Sequence, residues 1–526
     1  MHPHQGVADE RTTRLVGDIA HDQDCSGRNR RYPLLVNRTA TVWLSAALAL
    51  GFASPATAQD APRQATLQQR VESTLAEASP GTRFGLVAAT TEGEELVAIA
   101  PDERFIPASN TKMFTTAAVF ETIGGMDAPD VTAGTAVGLE RNGRRAPDVI
   151  LEGRGDARLS SAPDCITNCL AALADAVAAK TRVVRDVVGD DTLFPDERWS
   201  PGMSWNNIPT SSGTAISALT LDDNELALRV IPGAPGQPPK LEIASYYSVD
   251  NQATTVVDGD TDLSFHRLPR DSVVRLTGTI AVDAEPKLLR LGIDDPAHYA
   301  AWRFKRMLQA RGVRVTGGVA ARHTPLIAGD APAVRNSAPP ATRSNRETLA
   351  QLTPPPLAED LTLTNKVSQN VHAELMLRRV GNERRRGSIA DGLAEVRAML
   401  ARAGVPRLAY DLSDGSGMST YNRVAPRGMV TLLRWIAGRP WGASWRATLP
   451  VAGVDGTLAK RFRGTTLRGR LFAKTGSLNA TNALSGYMIA RSGRTLLFSA
   501  YANDVPEGVS ATKAMDAALE LIAQEN

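Results

Sequence analysis

Three short strings in this chain carry the residue types for covalent chemistry: Ser109-Asn110-Thr111-Lys112, Ser368-Gln369-Asn370 and Lys474-Thr475-Gly476, in that order. The first offers a nucleophile with a lysine one helical turn away. The second adds a hydroxyl and an amide, and the third a cationic strand able to grip a carboxylate. Together they are the equipment for serine-based acyl transfer at an amide next to a free carboxylate.

Each string also has a plainer reading. Ser109 follows Pro107-Ala108 and opens an apolar helix, Met113 to Ile123, that ends at Gly124-Gly125. Lys112 lies on the same face and can reach the serine hydroxyl. A lysine acts as a base only when neutral, and burial, the positive helix end and a second cation would all lower its pKa. The helix start would favour an oxyanion as well. Alone, the motif reads as an N-cap serine with a solvated lysine; its companions change that. Ser368 and Asn370 sit at or just before a helix carrying Val371, Leu375 and Leu377. From there the serine could relay a proton and the amide could fix both the lysine and a substrate carbonyl, although an N-cap is the usual reason for such residues. Lys474 follows Leu471-Phe472-Ala473 on an expected strand. Thr475 adds a hydroxyl, Gly476 admits a ligand backbone, and Ser477 offers its N–H to an oxyanion. An edge-strand lysine guarding against aggregation would explain Lys474 but not the Thr-Gly after it. His372-Ala373-Glu374 begins like the zinc-deaminase signature, but the required Pro-Cys-x-x-Cys is missing, so His372 reads as an ordinary helix residue. There is no Gly-x-Ser-x-Gly elbow and no Walker loop.

The elements that must position these residues come from both ends of the chain. Its 526 residues, 43% hydrophobic, suffice for sizeable cores and more than one domain. The 59 basic and 56 acidic residues leave a net charge of +3 and no extended basic stripe for nucleic acid. Gln64 to Ala78 has helical periodicity, and TRFGLVAATTEGEELVAIAP reads as two strands joined by a Glu-Gly turn. LRGRLFAKTG, NALSGYMIA and TLLFSAYA read as three strands, the last two joined at Arg491 to Arg494, with a closing helix from Val509 to Gln524. These pieces predict one α+β domain: a five-stranded antiparallel sheet with helices packed on it, built from 59–130 and 287–526. Between its halves, 131–286 is rich in Gly, Pro, Asp and short β-branched runs, and reads as a β-rich insertion of one or two small domains. A helix-rich stretch spans Ser344 to Ala437. PGAPGQPP at Pro232 to Pro239 and the prolines near Pro339 read as loops.

Asn37 to Ala58 has a basic residue, an apolar run from Val42 to Ala53, and Ala56-Thr57-Ala58 as a small-x-small cleavage site. This predicts export, cleavage after Ala58, and no stable membrane span, the run being too short to cross a bilayer. The polar residues before it are either a long n-region or lie upstream of a true start at Val36. Of the three cysteines Cys25 falls in the leader, whereas Cys165 and Cys169 have helical spacing and read either as a bridge or as two free thiols.

With these residues in hand, the chain resembles the low-molecular-mass class C penicillin-binding proteins, the DacB-type D-alanyl-D-alanine carboxypeptidase/endopeptidase family. Beyond the three strings, Gly153-Arg154-Gly155-Asp156, the stretch Gly189 to Asn207 and Asp414-Gly415-Ser416-Gly417-Met418-Ser419 also resemble family motifs, from about residue 65 to the C-terminus. The resemblance implies a serine β-lactamase/transpeptidase-like fold interrupted by a β-rich insertion. It implies Ser109 as acylated nucleophile, Lys112 as base, Ser368 and Asn370 as second element, and Lys474 completing the catalytic set. Thr475, Gly476 and Ser477 become substrate-binding, joined by Ser416 and Met418. Asp196 is the candidate acidic partner for a stem-peptide side chain, although Thr420 replaces the Arg that some relatives carry after the Asp-Gly-Ser-Gly-Leu-Ser motif. The implied partners are a peptidoglycan stem peptide ending in D-Ala-D-Ala and β-lactams, in the periplasm, with no metal or organic cofactor. A β-lactamase and a non-catalytic peptidoglycan-binding protein are the rival readings.

Overall fold

The computed structural model describes residues 65–327, apart from Asn142 and Arg144, and residues 348–526. The leader with its Ala58 cleavage site, the Val36 start and the proline loop near Pro339 lie outside the described residues.

Thr66 starts α1 (Leu67–Ala78) with a capping box, its hydroxyl and the Gln69 side chain each accepting the other's backbone N–H. The hairpin β1 (Arg83–Thr90) and β2 (Glu95–Ile99) follows, then α2 (Thr111–Thr122). After the inserted region come α3 (Leu357–Lys366), α4 (Asn370–Asn382), α5 (Ile389–Arg402) and α6 (Pro426–Ala437). The chain closes with β3 (Leu471–Leu478), β4 (Thr481–Ile489), β5 (Thr495–Asn503) and α7 (Ala511–Glu525). The chain ends share one antiparallel sheet in the order β3-β4-β5-β1-β2, as the sequence predicts.

Both faces of this sheet are covered, so its central strands are apolar without a break. On β1, Leu86 and Ala88 join the core under α1 and α7, while Val87 and Ala89 join the core around α2. On β5, Phe498 and Ala500 go to the first core and Leu497 and Tyr501 to the second, the period-2 alternation of a strand buried on both sides. Helix α2 is enclosed all round: every residue from Thr111 to Phe120 is buried. A helix with no exposed face is held from every side, which makes it a rigid mount for the residues at its N-terminus.

The inserted region has its own core, which includes Leu151, Leu173, Val187, Leu228, Leu276 and Phe304. Its largest sheet joins strands Ala136–Glu140, Asp148–Glu152, Val187–Pro195, Val319–Thr324 and Thr348–Gln351. Lys287–Gly292 pairs with Glu225–Ile231 in a second sheet. These pairings carry the insertion past the expected boundary at 286, through Gln351. Past 286 the insertion continues with the strand Lys287–Gly292 and then a helix, Pro296–Ala310, which Asp295 caps and Pro296 opens. With a second helix at Leu170–Lys180, the region sets two α-helices against its strands and is β-rich, as the sequence predicts.

Cys165 and Cys169 are disulfide-bonded, with Cα atoms 5.7 Å apart. They do not share a helix face, because Cys169 is extended and its helix begins one residue later.

Candidate active site

Ser109 lies in a tight turn, Ala108–Asn110, that feeds directly into α2. Ala108 adopts a left-handed φ of 45°, a conformation costly for a residue with a side chain and one that turns the chain sharply before the serine. Two glycines let other elements press on this corner. A Cβ on Gly417 would lie 1.9 Å from the Ala108 carbonyl oxygen, and one on Gly476 2.6 Å from that of Pro107 and 3.1 Å from the Ser109 nitrogen. The Asn110 side chain donates to the Lys474 carbonyl at 2.8 Å, tying the corner to β3.

Lys112 is fully buried. Its Nζ makes three hydrogen bonds: to Ser109 Oγ at 2.9 Å, to Asn370 Oδ1 at 2.7 Å and to the Ser416 carbonyl at 2.7 Å. Burial brings its pKa down to about 7, against the opposing pull of Asp414 and Glu374. A base in that range, already bonded to the hydroxyl it would deprotonate, meets both requirements of general base catalysis.

The second string closes the site from α4. Ser368 has a left-handed φ of 67° and Gln369 caps α4, its side chain accepting from the Val371 N–H. Asn370 turns its oxygen to Lys112 and donates from Nδ2 to the Ser212 carbonyl of the inserted region at 2.9 Å. Ser368 Oγ accepts from Lys474 Nζ at 2.9 Å. Lys474 is fully buried, and burial followed by the charge of Lys112 holds it well below the ordinary lysine value. Thr475 Oγ1 donates to Thr457 at 2.8 Å and Ser477 is exposed. Beyond Ala473, whose N–H goes to Pro450, no described strand pairs with the outer edge of β3, which is open to an extended ligand.

The loop from Asp414 to Ser419 supplies the third lysine ligand. Glu374 Oε1 accepts the N–H groups of Gly415 and Ser416 at 3.0 and 2.9 Å, and its other oxygen accepts from Arg378 at 2.9 Å. Asp414 accepts the N–H groups of Gly417 and Ser419; burial, and next the Glu374 charge, push its carboxyl up to about 6. The buried Ser416 side chain bonds within the loop while its carbonyl meets Lys112, and the residue lines a small cavity with Asn370 and Met418. Met418 and Ser477 line a cleft of about 790 Å³ together with Asn207, Ser212 and Thr420. The inserted region forms one wall, for Pro201 and Gly202 accept hydrogen bonds from Ser419 and Thr420.

Asp196 stands behind Arg198, which lines a small cavity with Asn370, Ser416 and Met418. It pairs with Arg198, which also reaches Asp295 and His323, and it is not among the residues lining the cleft. His372 is more than an ordinary helix residue: it is buried between Asp360 and Asp223, and although burial opposes its charge the two carboxylates push it up to about 10. It thereby pins α3 and the inserted region to α4, two residues from Asn370. Asn110, Ser212 and Glu374 were given no role by the sequence reading. Asn110 lay inside a recognised string; the partners of the other two are non-local and leave no sequence signal.

Known proteins resemble the chain over most of its length. The family model for D-Ala-D-Ala carboxypeptidase 3 (S13) matches residues 67–525. A D-alanyl-D-alanine carboxypeptidase from Actinomadura sp. is 34% identical over 459 residues, covering 83% of this chain and 81% of its own. The D-alanyl-D-alanine carboxypeptidase DacB of Haemophilus influenzae is 25% identical, covering 81% of this chain and 87% of its own. The crystal structure of penicillin binding protein 4 (dacB) from Haemophilus influenzae superposes with a TM-score of 0.71 at 23% identity, over 86% of this chain and 97% of that one, and so shares the fold. A match across nearly all the described residues, on a fold that brings the three strings to one point, establishes that the chain belongs to the D-Ala-D-Ala carboxypeptidase 3 (S13) family.

Proposed function

We propose that this serine-type D-Ala-D-Ala carboxypeptidase works through an acyl-enzyme on Ser109, acting on peptidoglycan stem peptides and on D-Ala cross-links. The observation that carries the reading is the 2.9 Å contact between Ser109 Oγ and the buried Nζ of Lys112. In the proposed cycle the substrate adds as a strand along β3, its carboxylate on Lys474 and Thr475. Ser109 Oγ attacks the carbonyl carbon as Lys112 takes its proton, and the N–H groups of Ser109 and Ser477 hold the oxyanion. The C–N bond then breaks, and the proton that Lys112 took passes by way of Ser368 to the departing D-alanine amine. Water attacks the ester, and Ser109 recovers its proton as the peptide leaves. β-Lactams enter the same path as mimics of the D-Ala-D-Ala peptide; the Haemophilus influenzae structure complexed with a β-lactam has the same fold, with a TM-score of 0.67.

Catalysis would lie in the parts flanking the insertion, which supplies a cleft wall and holds Asn370. Asn37 to Ala58 supports export to the periplasm, and no described helix is long and apolar enough to cross a membrane.

The test is to incubate the protein and a Ser109→Ala variant with fluorescent penicillin and with a pentapeptide ending in D-Ala-D-Ala. A long-lived adduct on the wild type alone, with release of D-alanine, supports the reading. Rapid penicillin hydrolysis without D-alanine release would make it a β-lactamase, and neither reaction would leave a binding protein.

A further inference from the structure

Behind the open strand lies a second cavity, of about 510 Å³, that shares no lining residue with the cleft. Its walls are Ala437 at the end of α6, Ala443 and Arg446 on the short helix Gly442–Ala447, Phe472 on β3 and Tyr487 on β4. The walls are mostly apolar, and the one charge among them is Arg446. Its guanidinium lies 4.3 Å from the centroid of the Phe472 ring and 5.3 Å from that of Tyr487.

Arg446 has neither a carboxylate partner nor a hydrogen-bond acceptor among the described residues. Other sheltered arginines of this chain are paired: Arg267 with Asp294, Arg378 with Glu374, Arg379 with Asp130. Burial pushes the Arg446 guanidinium below its ordinary value, and only Tyr487 opposes that shift. The Tyr487 hydroxyl is engaged, donating to the Leu433 carbonyl at 2.9 Å. A half-buried cation that has lost water without gaining a counter-ion gains most from a bound anion, and aromatic and alanine walls favour an apolar body attached to it. The volume is that of a small-molecule site.

We propose that this cavity binds an amphipathic carboxylate, its apolar body against Phe472 and Tyr487 and its carboxylate on Arg446. Phe472 lies two residues before Lys474 on β3 and shares its face, so an occupant rests against the strand that grips the substrate.

The test is calorimetric titration of the purified protein with naphthalene-2-carboxylate, its neutral carboxamide and decanoate, repeated after acylation with benzylpenicillin to block the cleft. At least one carboxylate should bind, at least tenfold more tightly than the carboxamide, and should still bind the acylated protein; which of the two wins distinguishes an aromatic from a fatty acid source. Arg446→Gln should weaken binding at least tenfold. Ala443→Trp, at an exposed position on the cavity wall, should do the same with Arg446 intact. No binding, equal binding of carboxylate and carboxamide, or binding that both variants leave unchanged would overturn the proposal. The Arg446→Gln comparison stands whether or not penicillin acylates the protein, so its result is separate from that of the Ser109 reading.

Discussion

Glu374 positions Ser416 for Lys112: one carboxylate oxygen accepts the Ser416 N–H at 2.9 Å, and the Ser416 carbonyl then accepts from the lysine at 2.7 Å. The other oxygen is paired with Arg378, whose side chain is only 2% exposed. In Glu374→Gln the arginine loses its counter-charge, and breaking such a buried pair costs about 3 kcal/mol. Glu374 also raises the pKa of Lys112, so its removal lowers it. The acid limb of the acylation profile should move to lower pH while the plateau rate falls and thermal stability drops. A variant with unchanged melting temperature and unchanged limb would refute this linkage.

Lys112, brought down to about 7 by burial, should set the pH dependence of the wild type. With the neutral amine as the proposed base, penicillin acylation should climb as pH rises through about 7 and level off above it. Lys112→Met should lower the plateau by roughly 10³-fold, within the usual range for loss of a general base. Stopped-flow acylation from pH 5 to 9 checks both, and a flat wild-type profile would exclude Lys112 as the titrating group.

Asn370→Asp separates charge from shape. The new carboxylate would sit where Oδ1 now lies 2.7 Å from Lys112 Nζ, favouring the charged lysine and raising its pKa. The acid limb should therefore move to higher pH, opposite to Glu374→Gln, with acylation at pH 7 reduced. Loss of the amide donor to Ser212 should also loosen the inserted region, visible as faster hydrogen exchange around residue 212.

Gly417→Ala tests the corner that holds the nucleophile. The glycine has φ +90° and its Cβ would meet the Ala108 carbonyl, so strain of roughly 1–3 kcal/mol should appear as a lower melting temperature. Because displacement of that carbonyl shifts Ser109, acylation should fall at least a hundredfold, more than stability alone would explain. Normal acylation by a folded variant would show that the corner tolerates movement.

Local signals were the legible ones. The five-strand sheet could be read because its strands are marked by apolar runs and tight turns such as Arg491 to Arg494, and because both ends of the chain carried complementary halves. Ser109, Lys112, Ser368, Asn370 and Lys474 were recognisable as strings, and the structure brings them together. The insertion's end at Gln351 was hidden because strand pairs such as Val319 with Val187 join segments far apart in sequence. The carbonyl of Ser416 on Lys112 was not legible, because residue type does not reveal whether a side chain or a carbonyl is presented. Asp196 fitted by charge, but its pairing with Arg198, two residues on, was not legible from residue type. The role of His372 depended on two aspartates, at 223 and 360, that only the folded chain places on either side of it.

Two fully buried lysines in one pocket have a thermodynamic corollary. Burial lowers the readiness of both to hold a proton, and the charge of Lys112 lowers that of Lys474 further, so the resting site holds fewer protons than its count of amines suggests. In the proposed cycle an arriving carboxylate would settle on Lys474 and favour its charged form. Ligand capture near neutral pH should therefore draw a proton from the buffer, and the measured binding heat should vary linearly with the buffer's ionisation enthalpy. The substrate would then help to set the protonation pattern that its own cleavage requires.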